Sequence, residues 1–449
     1  MSVTVASSRW AGLSLSLFLS MSAGCGARSS LLGGEGAYSA GGGGGDGTGN
    51  QGASGAGVGA GQPGDCPGSL GQPFLSVGPN DVSPKGQFVD ARPAVAMGDD
   101  GQYVIAWTQQ SSFAVAFQRH DATGAPLGEP IQASPPDEEV VFRKPSVAMD
   151  ANGGLVVAWQ REDDFAVEFQ RYDGEGKPLG PIVRVTEPGH FVEFPPVIAL
   201  APGGLLVVAW AAQAGNDGGL FFRMYGTTGL PLGDAIPVGP TADDYVVVEP
   251  ALAMSATGDF VIAWRQFEGQ GVPVRAQHYA VTGAPLGGVI EVNEGVPSGI
   301  SPPAAAMASD GRFVIAWLGE QTGNHVLARV FEASGEAVGP ALQVDEENES
   351  EGSAWGAEVH DPEPPTQSVA MASNGDFVVS WNANQHGPYF RRFDASGDPL
   401  SPELPAAPTQ QYAAFPAITA VSRCTGNHVV AWTETEDLFQ VRHTLLLGE

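Results

Sequence analysis

Hydrophobic and polar positions along the chain repeat in one pattern. An apolar stretch of the type F-V-I-A-W follows a glycine turn seven times, and one copy reads D-G-R-F-V-I-A-W at residues 310–317. The stretch is apolar on both faces, which indicates a strand buried between two layers. Its large Trp and small Ala point to opposite faces, so we expect the bulky side of one unit to meet the slim side of the next. The repeat tryptophans are Trp107, Trp159, Trp210, Trp264, Trp317, Trp381 and Trp432.

Each copy of the pattern predicts four short strands. The first reads P-A-V-A-M or similar, the second is the F-V-I-A-W stretch, the third resembles F-Q-R-H-D, and the fourth is of the type I-x-V. Gly- and Pro-rich turns separate them, without a helix-length amphipathic run. A period of about 50 residues is typical of solenoids and propellers. The sequence therefore predicts an all-β, seven-bladed β-propeller of four-stranded antiparallel blades, in preference to an open row of hairpins.

The two ends of the chain complete each other in this arrangement. The last unit supplies three clear strands before the sequence stops, whereas L-G-Q-P-F-L-S-V at residues 70–77 matches the fourth-strand pattern. We expect this N-terminal strand to complete the last blade, which leaves no open sheet edge. The predicted propeller spans residues 66–449. Within it, the recurrent Met residues of the first strand are core positions, and Arg119, Arg171 and Arg392 are expected to pair within or between blades.

The charge balance excludes some classes of partner. The chain has 50 acidic and 20 basic residues, a formal net charge of −30. Nucleic-acid binding needs clustered Lys and Arg, so it is not expected. Electrostatic docking on anionic lipid is not expected either. An acidic surface favours cations or basic partners, and it also simply keeps a protein soluble.

The N-terminal segment predicts export. Residues 1–24 have the character of a signal peptide, with Arg9 before a short apolar run. The following Ser22-Ala23-Gly24-Cys25 resembles the lipobox of bacterial lipoproteins, which implies a lipidated Cys25, although that family usually has Leu where Ser22 stands. Ordinary signal cleavage is the alternative. Residues 25–65 contain 17 Gly and predict a disordered tether. The expected location is the bacterial cell envelope, as an outer-membrane or cell-surface lipoprotein.

Two further cysteines predict a disulfide. Cys66 precedes the proposed closing strand, and Cys424 lies in the first turn of the last blade. In an antiparallel four-stranded blade these two connections share one face, and exported proteins allow disulfides. We expect a Cys66–Cys424 bond that fastens the closure, with two unpaired thiols as the alternative.

The connections predict which face carries function. Second-to-third and fourth-to-first connections are long and irregular, and function is usually carried by variable loops on a rigid scaffold. We call this side the irregular face and the other side the regular face. The most unusual connection, residues 345–367, has eight acids and no Lys or Arg. It is predicted to be either a ligand-binding arm, with Trp355 stacking on a ligand beside His360 and Asp361, or a solvated insertion. Its carboxylates could hold Ca²⁺, but no calcium-loop spacing is present, and no cofactor is expected.

Neighbouring connections on the irregular face add carboxylates. These are Glu138, Glu139, Glu193, Asp243 and Asp244. Apolar residues stand five positions before the repeat's Pro; they are Phe88, Val140, Phe191 and Tyr245. Together with the acids they could ring the channel mouth, but we expect them to extend the first strand and pack beneath the loops. Paired carboxylates could also serve a glycosidase. No sialidase Asp-box, zinc grouping, G-x-S-x-G or P-loop is present, so no catalytic residue is assigned.

The units are similar to the roughly 50-residue repeats of bacterial secreted and surface proteins, with F-D-A-S-G-D-P-L at residues 393–400 and N-G-D-F-V-V-S-W at 374–381. This resemblance covers about residues 70–449 and implies fold and export, but no shared activity. We therefore expect a monomeric, lipid-anchored binding or assembly module for an envelope protein or glycan. The alternatives are an envelope polysaccharide hydrolase or lyase, and a structural surface protein.

Overall fold

A computed structural model of the chain describes residues 70, 74–83, 93–109, 112–135, 140–187, 191–192, 194–213, 219–239, 247–266, 272–293, 301–319, 325–346, 367–383, 387–407, 413–422, 424–434 and 440–448. These residues form strands joined by turns, all within the unit Ala60–Glu449. None of them forms a helix long and apolar enough to cross a membrane.

The strands follow one another in chain order. They are β1 (Phe74–Asp81), β2 (Ala94–Met97), β3 (Tyr103–Gln109), β4 (Ala114–His120), β5 (Ile131–Gln132), β6 (Phe142–Met149), β7 (Leu155–Arg161), β8 (Val167–Tyr172), β9 (Val183–Arg184), β10 (Phe191–Val192), β11 (Val197–Leu200), β12 (Leu206–Gln213), β13 (Gly219–Tyr225), β14 (Ile236–Val238), β15 (Val247–Met254), β16 (Phe260–Gln266), β17 (Val274–Tyr279), β18 (Ile290–Glu291), β19 (Ala304–Met307), β20 (Phe313–Gly319), β21 (His325–Phe331), β22 (Leu342–Gln343), β23 (Ser368–Met371), β24 (Phe377–Ala383), β25 (Gly387–Phe393), β26 (Leu404–Pro405), β27 (Ala413–Val421), β28 (His428–Glu434) and β29 (Gln440–Gly448).

These strands form seven antiparallel blades, so the predicted seven-bladed β-propeller is confirmed. Blades 1 to 6 each run outward in chain order, for example β2-β3-β4-β5 in blade 1. Blade 3 has a fifth strand because its first strand is divided into β10 and β11, which both pair with β12. The first strands of neighbouring blades contact one another around a complete ring, and β27 contacts β2. The first strands therefore form the inner wall.

The N-terminal strand closes the ring as predicted. Blade 7 has the order β1-β29-β28-β27, so β1 occupies the outer position that β5 occupies in blade 1. The preceding Leu70 is buried, its N–H donates to Asp376 of blade 6 at 3.1 Å, and its carbonyl accepts from Arg392 at 2.7 Å. The segment that completes blade 7 is thus also held by blade 6.

The predicted meeting of bulky and slim faces is also confirmed. Trp159 of blade 2 lies in one buried cluster with Ala106 of blade 1, and Trp264 of blade 4 lies with Ala209 of blade 3. All seven repeat tryptophans are buried. Because Ala leaves room for the indole of the next blade, one alternating pattern packs each blade against both neighbours.

Arginines on the third strands reach adjacent blades, as expected. Arg171 donates to the carbonyl of Gly204 in blade 3 at 2.7 Å, and Arg119 donates to the carbonyl of Gly174 in blade 2. Arg391 points the other way and donates to the carbonyl of Val344 in blade 5 at 2.9 Å. These guanidinium groups satisfy carbonyls at the blade interfaces, so they are structural.

Candidate functional site

The irregular face of blades 1 to 3 carries two bulky residues with an unusual backbone. Phe113 and Phe165 lie in the second-to-third connections of blades 1 and 2, with φ angles of 50° and 56°. They are the described residues other than Gly with positive φ. For an L-residue this left-handed conformation costs roughly 1–2 kcal/mol, and Gly or Asn is the usual occupant. A bulky residue held there indicates a selected position, because such strain is concentrated at functional sites.

Backbone hydrogen bonds fix both connections to residues 141–142, at the start of strand β6 in blade 2. The N–H of Phe142 donates to the carbonyl of Phe113 at 2.8 Å, and the N–H of Glu162 donates to the carbonyl of Val141 at 2.9 Å. The two phenylalanine turns therefore lie on either side of residues 141–142. Since the bonds use main-chain atoms, the rigid blades set the positions of both turns.

A third phenylalanine continues the series onto blade 3. The ring centroid of Phe191 lies 5.3 Å from that of Phe165. The side chain of Phe113 is 37% exposed and that of Phe191 is 54% exposed. Phe113, Phe165 and Phe191 are called the aromatic row below. The expectation that Phe191 extends the first strand is confirmed by its pairing with Gln213 in β12. The expectation that it packs beneath the loops is wrong, because its ring faces solvent, whereas Val140 is buried.

Ion pairs surround the aromatic row. Arg161 binds both carboxylate oxygens of Asp163, at 3.0 and 2.6 Å, and Arg184 donates to Asp164 at 2.6 Å. Arg143 lies 2.7 Å from Glu162. The hydrogen bond from Arg161 lowers the pKa of the Asp163 carboxyl below its ordinary value and raises the pKa of the guanidinium. The Asp163 carboxylate is therefore charged at neutral pH, and each described arginine beside the row is paired.

A buried carboxylate supports this arrangement from below. Glu168 of β8 accepts from the indole Nε1 of Trp159 at 3.2 Å and from Arg161 at 3.4 Å. The guanidinium carbon of Arg161 also lies 5.9 Å from the ring centroid of Phe142. Arg161 is thereby held between a core residue and the surface carboxylates, so the charges beside the aromatic row are fixed in position.

A second charged group lies between blades 5 and 6. Arg391 lies 2.7 Å from Glu346, and the N–H of Glu346 donates to Glu403. Burial, followed by the nearby charges of Asp345 and Glu346, raises the pKa of Glu403.

Asp345 was predicted to begin a solvated or ligand-binding connection. Instead it is buried, accepts from the N–H of Val326 at 3.1 Å and lies 3.1 Å from Nδ1 of His325. Its carboxylate therefore caps strand β21.

The other end of that predicted connection is also anchored. Gln367 is buried, accepts from the hydroxyl of Ser301 at 2.8 Å, and donates to the carbonyls of Pro302 at 2.8 Å and Ala316 at 3.1 Å. These bonds join blade 6 to blade 5 at the irregular face. Residues 345 and 367 are thus parts of the scaffold rather than of a loop.

The binding residues named from the sequence lie outside the described residues. They are Trp355, His360, Asp361, Glu138, Glu139, Glu193, Asp243 and Asp244. The same holds for the lipidation candidate Cys25 and for Cys66, whereas Cys424 is described and takes part in a disulfide. Its pairing with Cys66 stays a prediction. No group of three or more potential metal-ligating side chains is found among the described residues.

The inner wall offers little for acid–base chemistry where it is described. The last four residues of the first strands are of the types A-V-A-M, S-V-A-M, V-I-A-L, A-L-A-M and A-A-A-M, with I-T-A-V in blade 7. These segments contain no ionisable side chain. Arg143 stands near the start of the first strand β6, and the other charged residues discussed on the irregular face lie on second, third and fourth strands or their connections.

Sequence reasoning missed Phe113 and Phe165. A signal was present, because blades 1 and 2 share F-A-V-x-F-Q-R at residues 113–119 and 165–171. The corresponding position, four residues before the centre of the third strand, holds Gly218 in blade 3 and Asn324 in blade 5, but Val272, His386 and Phe439 in blades 4, 6 and 7. Gly and Asn are the residue types that favour positive φ, so only blades 3 and 5 point to such a backbone and the signal in the sequence is weak.

Comparison with known proteins finds similar solved structures at low sequence identity. No protein-family model matches it, and no curated protein matches it. Among solved structures, it is similar to an alpha-L-arabinanase of Penicillium chrysogenum, with 11% identity, a TM-score of 0.44, and coverage of 84% of this chain and 97% of that one. An alpha-L-arabinofuranosidase of Fusarium graminearum matches with 12% identity, a TM-score of 0.47, and coverage of 69% and 93%. The polysaccharide lyase Uly1 matches with 10% identity, a TM-score of 0.48, and coverage of 82% and 91%.

Proposed function

We propose that the protein is an exported, lipid-anchored β-propeller of a bacterial cell envelope that binds an envelope protein or glycan through its irregular face. The observation that carries this proposal is the aromatic row, in which Phe113 and Phe191 are exposed to solvent and Phe113 and Phe165 are held in a left-handed backbone. Exposed aromatic side chains on a rigid scaffold supply large contact areas with little loss of side-chain entropy on binding. The charged groups beside the row are fixed by ion pairs and would set the orientation of a ligand.

Binding through this face is tested with purified full-length protein and separated envelope protein and polysaccharide fractions. The test variant is Phe165→Asn with Phe191→Asn. The matched control is Leu230→Asn with Leu232→Asn, because these side chains are 68% and 62% exposed on the regular face. We expect the test variant to lose retention of its ligand fraction and the control to keep it. Equal retention by the two variants would refute a site on the irregular face of blades 1 to 3.

The second candidate function is that of an enzyme acting on envelope polysaccharide. Glycan-active enzymes stand among the similar structures, which is the observation that favours this candidate. Those proteins share the fold at low identity, so the candidate depends on a direct assay. Release of reducing ends or unsaturated products from envelope polysaccharide would establish catalysis. Retention of the polysaccharide without product would support binding alone.

The anchor and the disulfide have their own tests. We propose that Cys25 is lipidated and that the glycine-rich residues 25–65 hold the propeller away from the membrane. Incorporation of labelled palmitate by the wild type and its loss in Cys25→Ala would support the anchor. A non-reducing peptide map that lacks a Cys66–Cys424 cross-link would overturn the proposed disulfide.

A further inference from the structure

The aromatic row is an apolar surface in which two phenylalanines are held in a strained backbone conformation. Its members come from three consecutive blades, and main-chain bonds to residues 141–142 hold the first two turns in place. Phe113 and Phe165 occupy positions whose backbone suits Gly or Asn. Selection for stability alone would favour those smaller residues. The rings of Phe113 and Phe191 are exposed, and that of Phe165 packs on Phe191, so the row offers an apolar surface to a partner.

The charge around the row indicates the sign of its partner. Arg143, Arg161 and Arg184 are each paired with a carboxylate of residues 162–164, and in every pair the carboxylate side chain is the more exposed partner, at 37–39% against 24–35% for the arginines. Nearby Glu187 is 69% exposed on its side chain and lies 3.9 Å from Arg223. The whole chain carries a formal net charge of −30. An anionic partner would be repelled from this surface, and a cationic one attracted.

The aromatic rings also favour a cationic partner. The face of a phenylalanine ring carries negative electrostatic potential, and an ammonium or guanidinium group over it is attracted. Arg161 already makes a contact of this kind with the buried Phe142 ring, with its guanidinium carbon 5.9 Å from the ring centroid. The exposed rings of Phe113 and Phe191 offer equivalent faces to solvent.

We propose that the aromatic row and the carboxylates beside it bind a segment of a partner protein that is rich in Lys and Arg. The cationic side chains lie over the phenylalanine rings, and their charged ends face Asp163, Asp164 and Glu187. This inference rests on the proposed binding function of the irregular face, and it names the chemistry of the partner.

The test uses full-length protein and labelled peptides of equal length. One peptide alternates Lys and Ser, the second replaces Lys by the uncharged norleucine, and the third replaces Lys by Glu. A neutral oligosaccharide serves as the fourth probe. Affinity is measured by fluorescence anisotropy at low and at physiological salt. We expect the Lys peptide to bind at both salt concentrations, and the norleucine and Glu peptides to bind at least about tenfold more weakly.

Variants separate the aromatic row from the general negative charge. Phe113→Asn, Phe165→Asn and Phe191→Asn together should weaken binding of the Lys peptide about tenfold or more. Leu230→Asn with Leu232→Asn should leave that affinity unchanged. Asn tolerates the left-handed backbone, so the triple variant should melt no lower than the control, which a thermal scan checks.

The possible outcomes distinguish this inference from the function on which it rests. Equal affinity of the Lys peptide for the triple variant and the control would overturn the inference, because binding would then follow general charge. Binding of the oligosaccharide that depends on the row, without binding of the Lys peptide, would also overturn it but would leave the proposed binding function standing. If the triple variant retains every envelope ligand, both proposals fail.

Discussion

The hydroxyl of Tyr103 lies 2.7 Å from Nε2 of His443, and this hydrogen bond joins blade 1 to blade 7 across 340 residues of sequence. His120 stacks on Tyr103 with ring centroids 4.8 Å apart, and its ring lies 4.9 Å from that of His443. At the corresponding interface of blades 1 and 2, Phe117 meets Tyr172 edge to face at 4.9 Å. The closing interface therefore replaces an apolar contact with a buried polar one.

This polar contact predicts that closure weakens in acid. Burial lowers the pKa of His120 to about 4 and that of His443 to about 3, from an ordinary value of 6.5. The unfolded chain therefore binds more protons than the folded one between about pH 6.5 and pH 3, so stability falls as pH falls through that window. We expect each histidine to contribute on the order of 1–3 kcal/mol to this loss.

The measurement is urea unfolding between pH 7.5 and pH 4.5. The variant Tyr103→Phe with His443→Phe keeps both rings and restores the apolar contact found between blades 1 and 2. Its stability should depend less on pH than that of the wild type. The variant is compared with the wild type because other groups also make stability depend on pH. His428, whose pKa is lowered to about 3, adds to the loss of stability in acid, and Glu403, whose pKa is raised, opposes it. If the free energies of unfolding of the two proteins changed equally with pH, the contact between Tyr103 and His443 would not be a source of the pH dependence.

A prediction for the core concerns Trp264. This residue is buried, and its ring packs so closely on Gly239 that an added Cβ would lie 2.9 Å from the indole. Replacing it with Ala should lower the free energy of unfolding by about 3–5 kcal/mol, since a large cavity remains between blades 3 and 4. Leu230→Ala, at a side chain 68% exposed, should change it by less than about 0.5 kcal/mol. Chemical denaturation of both variants checks the difference, and similar losses would contradict the packing.

The fold was predictable from the sequence because each blade repeats the same local sequence pattern. Alternation of Trp and Ala, glycine turns and a fixed period all point to one architecture, and the fourth-strand pattern at residues 70–77 identified the closing strand. The aromatic row was not predictable in the same way. Its signal lies in the backbone angles of Phe113 and Phe165, and hydrophobicity alone assigns such residues to the core. The contact between Tyr103 and His443 was missed because sequence periodicity does not show which residues meet across the closure.

Glycines at the third-to-fourth turns predict a packing effect between blades. Gly176 has a φ of 84°, and a Cβ built on it would lie 2.6 Å from Cδ1 of Ile131 in blade 1. Gly180, in the same connection, has a φ of 79° and nothing within 4 Å. Gly180→Ala should therefore cost only the strain of the left-handed backbone, roughly 1–2 kcal/mol. Gly176→Ala should cost more, because Ile131 must also move.

A double variant isolates that contact. Ile131→Ala removes the atom that an alanine at position 176 would strike, so the two changes together should cost less than the sum of their separate effects. The same Ile131→Ala change should be additive with Gly180→Ala. Free energies of unfolding from denaturant titrations provide the cycle. If the changes in free energy of unfolding were additive in both pairs, an alanine at position 176 would fit against Ile131 without straining the interface between blades 1 and 2.

The closing strand makes the last prediction. β1 pairs with β29 from Phe74 to Asp81, and Ser83 accepts from the N–H of Val441 at 3.1 Å. A chain that begins at residue 66 keeps these bonds, whereas one that begins at residue 84 exposes the long edge of β29. Unpaired strand edges are templates for association. The shorter chain should therefore melt at a lower temperature and form oligomers in analytical ultracentrifugation, and the longer one should stay monomeric. If both chains melt alike as monomers, the N-terminal strand is dispensable and the ring is held by the contact between β27 and β2.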